Sequence, residues 1–343
     1  MGRVESAPAK VLIVRLGAIG DVVNATLVAS ALRRAWPETE IGWAVHELAS
    51  PLVLGHPSID RVHVWRKGTG LTGFRAVLAD VRSQRYDLAI DLQRIAKSAV
   101  LARLSGARRV LGFDRMRTKE ASWLLTRERV APRTHRGSMV EQYLEFVQHL
   151  GLDSSIPTFE LPLDATAVAR AEERMRELGP LAVLMHLGAT KPANRWAPER
   201  FAEVARRLLD RGYRVALTGG PGDAELALRA VAIEPRLTNW CGATSLLELA
   251  ELQRRSALVL SCDSGPMHLA AAAGALVVAL FGPADERRTG PFGARHTVVR
   301  TRPPCAPCNL RHCNQTRHAC MEDLTTDAVS AAVFAALDRR AGS

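Results

Sequence analysis

The stretch Lys10-Val-Leu-Ile-Val-Arg-Leu-Gly-Ala-Ile-Gly-Asp21 decides how this chain folds. A short, unbroken apolar run, Val11 to Val14, reads as a strand buried on both faces of a parallel sheet. The glycines at 17 and 20 allow a tight turn and expose backbone N–H groups where a helix begins. Helical periodicity then runs from Asp21 to Trp36 and stops at Pro37. The glycine spacing is G-x-x-G-D, so this is not the G-x-G-x-x-G dinucleotide fingerprint. Asp21 has two readings. It caps the helix and complements its dipole, or it is a carboxylate at the lip of a site, placed to take a proton from a hydroxyl.

The same grammar continues outward. Strands are expected at Glu40–His46, Val62–Trp65, Tyr86–Asp91 and Arg109–Phe113, with helices at Phe74–Arg85 and Ile95–Leu104. Two prolines interrupt Ser154–Pro162, and the alternation restarts after them. Further strands are expected at Leu181–His186, Arg214–Thr218, Ala257–Ser261 and Leu276–Phe281. Further helices are expected at Pro198–Arg211, Asp223–Val231, Ser245–Arg255 and Pro266–Ala273. Alternating strands and helices indicate an α/β fold, here two tandem Rossmann-like domains. The expected division is 1–155, a linker at 156–178, a second domain at 179–325 and a closing helix at 326–343, capped by Thr325 or Thr326. Ligands in such sheets bind at the carboxyl ends of the strands. The active site is therefore expected where those ends face each other across an interdomain cleft.

Three later segments carry candidate chemistry. Ser261-Cys-Asp-Ser-Gly-Pro-Met-His268 repeats the strand–turn–helix layout, and its helix N-terminus suits a diphosphate. Asp263 and His268 are candidates for sugar hydroxyls or phosphate, although a lone histidine is more often a packing residue. Gly219-Gly-Pro-Gly-Asp223 follows another strand; Asp223 either binds ribose hydroxyls or caps the next helix. Gly188-Ala-Thr-Lys-Pro-Ala-Asn-Arg-Trp196 offers Lys191 and Arg195 as cations for a diphosphate.

Taken together, the R-L-G-A-I-G-D, N-R-W-A-P-E-R-F and D-S-G-P-M-H-L-A-A-A-A-G-A…A-L-F-G-P-A-D segments resemble the ADP-heptose:lipopolysaccharide heptosyltransferases. These are bacterial glycosyltransferases of the GT-B fold. The likeness runs from about Lys10 to Arg300 and includes Tyr86–Gln93 with Lys97-Ser98. It implies an inverting transfer of heptose from ADP-heptose to a Kdo or heptose acceptor of the lipopolysaccharide inner core. It implies Asp21 as general base. The donor would meet Gly20, Asp263, Ser264, Gly265, Met267 and His268, with Thr218, Gly219, Gly220 and Asp223 at the nucleoside and Thr244 and Ser245 towards adenine. No metal is expected in the chemistry, so protein cations must stabilise the departing ADP. The family commonly has Lys two residues before the loop Trp. Here that residue is Asn194, which leaves Lys191 or Arg195 to meet the diphosphate. Arg94 stands where a Gly commonly follows the Gln.

Charge sharpens the picture. The chain has 343 residues and a formal charge of +11. The segment Arg61–Arg136 holds 18 Lys and Arg against 6 Asp and Glu, so the remainder is nearly neutral. Such a patch suits nucleic acid, an anionic membrane surface or an acidic substrate. The motifs favour an anionic lipopolysaccharide precursor, with Arg94, Lys97, Arg115 and Lys119 as acceptor-side candidates. Aromatic residues make up 5% of the chain, too few for the interleaved stacking expected of a nucleic-acid binder. Met1–Lys10 has no signal-peptide pattern. The longest apolar stretches, such as Leu269–Phe281, fall short of the roughly 20 residues of a membrane span. A cytoplasmic protein, peripheral at the inner membrane, is expected. Cys305, Cys308, Cys313 and Cys320, in the loop 303–320, read as a structural zinc site, as reduced thiols or as a redox disulfide. Two other functions fit the same fold: transfer of another sugar or to another acceptor, and non-catalytic nucleotide-sugar binding.

Overall fold

The computed structural model describes residues 7–133, 137–155 and 158–341. The chain forms two compact units, Met1–Leu163 and Asp164–Ser343.

The first unit contains β1 (Lys10–Val14), α1 (Ile19–Ala35), β2 (Glu40–His46), β3 (Arg61–Trp65), α2 (Gly70–Ser83), β4 (Leu88–Asp91), α3 (Ala96–Leu104), β5 (Arg109–Phe113), β6 (Glu128–Val130) and α4 (Met139–His149). Its sheet runs β3-β2-β1-β4-β5-β6, all parallel. This is the doubly wound order, with its reversal between β1 and β4. Val11, Leu12, Ile13 and Val14 are fully buried, as the two-faced burial of a central parallel strand requires. Val14 pairs with Ala44 on one side and Asp91 on the other, so the carboxyl ends of three strands lie level. Gly42 permits a close approach: a Cβ there would lie 1.9 Å from the Tyr86 hydroxyl. That hydroxyl meets His63 Nε2 at 2.7 Å, and His63 Nδ1 meets Asp80 at 2.5 Å.

The second unit contains α5 (Ala165–Leu178), β7 (Ala182–His186), α6 (Pro198–Asp210), β8 (Arg214–Thr218), α7 (Ala224–Ile233), β9 (Thr238–Asn239), α8 (Leu246–Arg255), β10 (Leu258–Cys262), α9 (Gly265–Ala272), β11 (Val277–Phe281), α10 (Glu286–Thr289), β12 (Thr297–Arg300), α11 (Ala319–Glu322) and α12 (Thr326–Ala341). The sheet order β12-β11-β10-β7-β8-β9 repeats that of the first unit, with its reversal between β7 and β10. α12 packs against α6 and against β10, β11 and β12. Thr325 caps it, its hydroxyl accepting from Ala328 N–H at 3.2 Å.

Four expectations need adjustment. Residues 165–178, expected within a linker, form α5, which Asp164 caps by accepting from Thr166 and Ala167 and which packs on α8 in the second unit. The proline-interrupted segment is anchored to the first unit: Glu160 Oε2 accepts from Ser30 at 2.7 Å and Ser58 at 2.6 Å. The boundary thus falls after Leu163. β6, α4 and β12 were not expected at all. α2 begins at Gly70 rather than Phe74. Residues 1–6 of the first domain, 134–136 at the end of the basic segment, 156–157 at the start of the expected linker and 342–343 of the closing helix lie outside the described residues. No helix among the described residues is long and apolar enough to cross a membrane.

Candidate active site

In the first unit the reversal point of the sheet holds a charged pair. Arg15, next after β1, is 3% exposed and pairs through Nη2 with Asp21 on the first turn of α1. A guanidinium buried this deeply needs partners for its donors. Its Nη1 donates to Leu92 O at 2.8 Å, beyond β4. The N-cap of α1 is Ala18, so Asp21 is the third helical residue and does not cap. Its carboxylate is held by Arg15 and is about one-third exposed. Gln93 Oε1, also beyond β4, accepts from the N–H groups of Leu16 (2.8 Å) and Gly17 (3.3 Å), which ties the glycine turn down. Burial pushes the Asp91 carboxyl beneath this turn up to about 6, against the N–H of Gln93, the Ser98 hydroxyl and Arg15.

Beside the turn lies a pocket of about 390 Å³, lined among others by Ala18, Ile19, Trp65, Arg66, Lys67 and Lys97. Lys97 Nζ stands 3.7 Å from the centre of the Trp65 ring and donates to His46 Nε2 at 3.3 Å. Burial lowers the pKa of Lys97. The other acceptor-side candidates lie on the loops after β4 and β5. Lys119 N–H donates to Arg94 O at 2.9 Å, Arg94 lies over Phe113 and Arg115 over Trp123.

In the second unit the loop after β7 meets the loop after β10. Asn194 Nδ2 donates to Asp263 O at 3.0 Å and to Asp263 Oδ2 at 2.9 Å. Arg195 Nε donates to Ala189 O at 3.0 Å, and its Nη2 stands 3.6 Å from Asp223 Oδ1. Asp223 Oδ2 accepts from Gly220 N–H at 2.9 Å, so one oxygen braces the turn and the other faces Arg195. Gly188 makes this possible, because a Cβ there would lie 2.1 Å from Asp223 Oδ2. Lys191 Nζ donates to Asn309 O at 3.3 Å, and Ala193 N–H donates to Arg311 O at 3.1 Å. The cysteine loop therefore braces the loop that carries both candidate cations. Asp263, Ser264 and Gly265 are half-buried at the start of α9, and the Ser264 hydroxyl is 3.1 Å from that of Ser261. His268 is 9% exposed.

Three donor-side expectations change in character. Met267 is fully buried, within the core between sheet and helices. Thr218 is 1% exposed, its hydroxyl 3.1 Å from His186 Nδ1. Both side chains are enclosed within the unit. Ser245 caps α8, accepting from Glu248 N–H at 3.1 Å, while Thr244 precedes it half-buried. Burial pushes His186 down to about 4 and the Cys241 thiol, beside Asp223, up to about 12. Burial, then the neighbouring thiols of Cys308, Cys305 and Cys313, push Cys320 up to about 11. Yet among the described residues no three His, Cys, Asp or Glu side chains are arranged to hold a metal ion.

Sequence reading missed Arg15, Gln93, His186 and the structural part played by Asn194. Arg15 had a signal: an arginine between an apolar strand and a glycine turn is buried, and a buried charge must be paired.

The model of glycosyltransferase family 9 (heptosyltransferase) matches residues 74–318. The lipopolysaccharide core heptosyltransferase OpsX of Haemophilus influenzae is 26% identical over 296 residues, 85% of this chain and 84% of that one. Lipopolysaccharide heptosyltransferase 1 of Pseudomonas aeruginosa is 29% identical over 321 residues, 89% and 87% of the two chains. Among solved structures, a family 9 glycosyltransferase of Veillonella parvula superposes with a TM-score of 0.86 at 23% identity, over 96% of this chain and 98% of the other. The ADP-heptose heptosyltransferase II of Escherichia coli gives 0.76 at 23% identity, over 96% and 99%. These likenesses bear out the fold: two Rossmann-like units in one chain. With the family model matching from within α2 through the whole sheet of the second unit, the chain is a glycosyltransferase and belongs to glycosyltransferase family 9, the heptosyltransferases.

Proposed function

We propose that the protein transfers heptose from ADP-heptose to the lipopolysaccharide inner core, with inversion, and that Asp21 is the general base. The observation that carries this reading is the Arg15–Asp21 pair at the reversal point of the first sheet, in a chain of family 9. Arg15 keeps the carboxylate of Asp21 fixed in direction while leaving it open to a ligand. A related E. coli structure contains ADP and another an ADP-heptose analogue, which supports the same donor here.

In the proposed reaction the acceptor hydroxyl attacks the anomeric carbon from the face opposite ADP. The new bond joins the acceptor oxygen to that carbon, the bond to the diphosphate oxygen breaks, and Asp21 takes the proton. Such proton transfer contributes roughly 10²–10⁴ in rate. ADP leaves carrying the electron pair. N–H groups at the start of α9, together with Lys191 and Arg195, offset the charge that develops on it, an electrostatic contribution that is often the largest. Asp223 is proposed to meet the ribose, and the pocket at Lys97, Arg66 and Lys67 to take an anionic group of the acceptor. The Kdo or heptose acceptor is membrane-linked, which fits work at the cytoplasmic face of the inner membrane. The chemistry needs no metal. A zinc clip at Cys305, Cys308, Cys313 and Cys320 rests on their spacing alone, and metal analysis of the purified protein tests it.

The test is transfer from ADP-heptose to defined truncated lipopolysaccharide acceptors, alongside a panel of other nucleotide sugars. Heptose transfer to a Kdo- or heptose-ended acceptor is expected. Preference for another nucleotide sugar would replace this reading with transfer of that sugar.

A further inference from the structure

We propose that Asn194 is a positioning residue for the donor sugar: its side-chain amide holds the carboxylate of Asp263 at the reversal point of the second sheet. The proposal rests on reading the Asp263 loop as the donor side.

Asn194 follows β7 and Asp263 follows β10, the neighbouring strands from which the chain winds in opposite directions. The loops after such a pair diverge, which opens a crevice and also leaves their relative position weakly determined. One amide group joins them. Asn194 Nδ2 reaches both the backbone carbonyl and the carboxylate of Asp263, at 3.0 and 2.9 Å. The two bonds together fix the chain at Asp263 and the direction of its side chain.

The other end of the amide is telling. Asn194 is 4% exposed, and its Oδ1 is buried with no hydrogen-bond partner among the described residues. A buried acceptor left unmade is a cost that folded proteins usually avoid. Turning the amide over does not help, because Oδ1 would then face two acceptor oxygens of Asp263. The Asp263 side therefore takes the Nδ2 donor, and Oδ1 is turned away from it. An amide is also neutral, so it directs the carboxylate without cancelling its charge. Asp263 stays a full-strength acceptor for the hydroxyl groups of a sugar.

The same arrangement predicts how substitutions behave. Asn194→Ala removes the donor. Asn194→Asp replaces it with a carboxylate, which repels Asp263 at high pH. At lower pH the two carboxyls share one proton, and the protonated one donates again. The charged or titratable groups shown to interact here are Cys262 with Asp263 and Arg195, and Arg195 in turn with Asp223. They are common to wild type and variant, so the ratio of the two isolates the new carboxyl.

The experiment measures steady-state transfer from ADP-heptose and, separately, direct binding of ADP alone. For Asn194→Ala we expect kcat/KM to fall about 10-fold or more, while the Kd for ADP moves less than about 3-fold and the variant unfolds cooperatively. For Asn194→Asp the activity relative to wild type should rise about 5-fold or more between pH 8 and pH 6. An alanine variant with wild-type transfer would overturn the proposal. So would a flat pH ratio, or equal losses in ADP binding and transfer, which would indicate a merely structural role. If the wild-type protein itself fails to use ADP-heptose, the functional reading falls and this proposal falls with it. Failure of the variants alone leaves the functional reading intact.

Discussion

At Asp21 the structure removes capping from the readings of the residue and keeps its place on the first turn of α1, where it complements the helix dipole. Ala18 is the N-cap, and Asp21 also faces Arg15. The sequence alone left both roles open, since capping depends on a single residue of register. Two buried groups near the sites make opposite, measurable contributions to stability. Burial raises the Asp91 carboxyl from 3.8 to about 6. The folded state therefore holds more protons than the unfolded state between those values, and this contribution is present at low pH and lost as pH rises through about 6. Burial lowers His186 from 6.5 to about 4, so its contribution is present above the ordinary histidine range and lost as pH falls towards 4. Asp91→Asn removes the first effect only. As pH drops from 7.5 to 5, the melting temperature of wild type should gain on that of Asp91→Asn by roughly a few degrees. A constant difference would contradict the burial of an ionisable carboxyl at this point.

At the scale of elements, both sheets reverse beside their first strand, and in both a side-chain amide bridges the two loops at the reversal. Gln93 accepts from Leu16 and Gly17 in the first unit; Asn194 donates to Asp263 in the second. The central strands were legible because burial on both faces writes an unbroken apolar run. β6 and β12 are short edge strands with polar residues, and such pieces carry little periodic signal. α4, by contrast, carries a legible signal, a capping box from Ser138 to Glu141 and a buried apolar face. Side-chain partners across loops were the least legible, because sequence distance hides them: Asn194 and Asp263 are 69 residues apart. Gly188→Ala tests the fit between elements. The added Cβ would displace Asp223 and break its bond to Gly220, at a cost of about 1–3 kcal/mol for overpacking. A lower melting temperature and roughly tenfold weaker ADP binding are expected. Unchanged ADP affinity would separate Asp223 from the nucleotide.

Across the whole molecule the charge imbalance acquires a location. Part of the basic segment is neutralised within the first unit, where Arg109 pairs with Glu128 and Arg117 with Asp114 and Glu145. Arg66, Lys67 and Lys97 instead line the pocket beside the Asp21 turn. An anionic acceptor would be drawn there, and exposed charges are screened over about 10 Å at 0.1 M salt. Reversing the charge of Lys97 with Arg94, Arg115 or Lys119 should raise the acceptor KM several-fold and leave the donor KM unchanged. An unchanged acceptor KM would remove these residues from the acceptor site.

The most direct test of the account is single-turnover transfer from ADP-heptose to a truncated inner-core acceptor by wild type and Asp21→Asn, with ADP affinity measured on the same samples. The account predicts a loss of transfer of roughly 10²-fold or more in the variant, with ADP affinity nearly unchanged. Near-normal turnover by Asp21→Asn would contradict it.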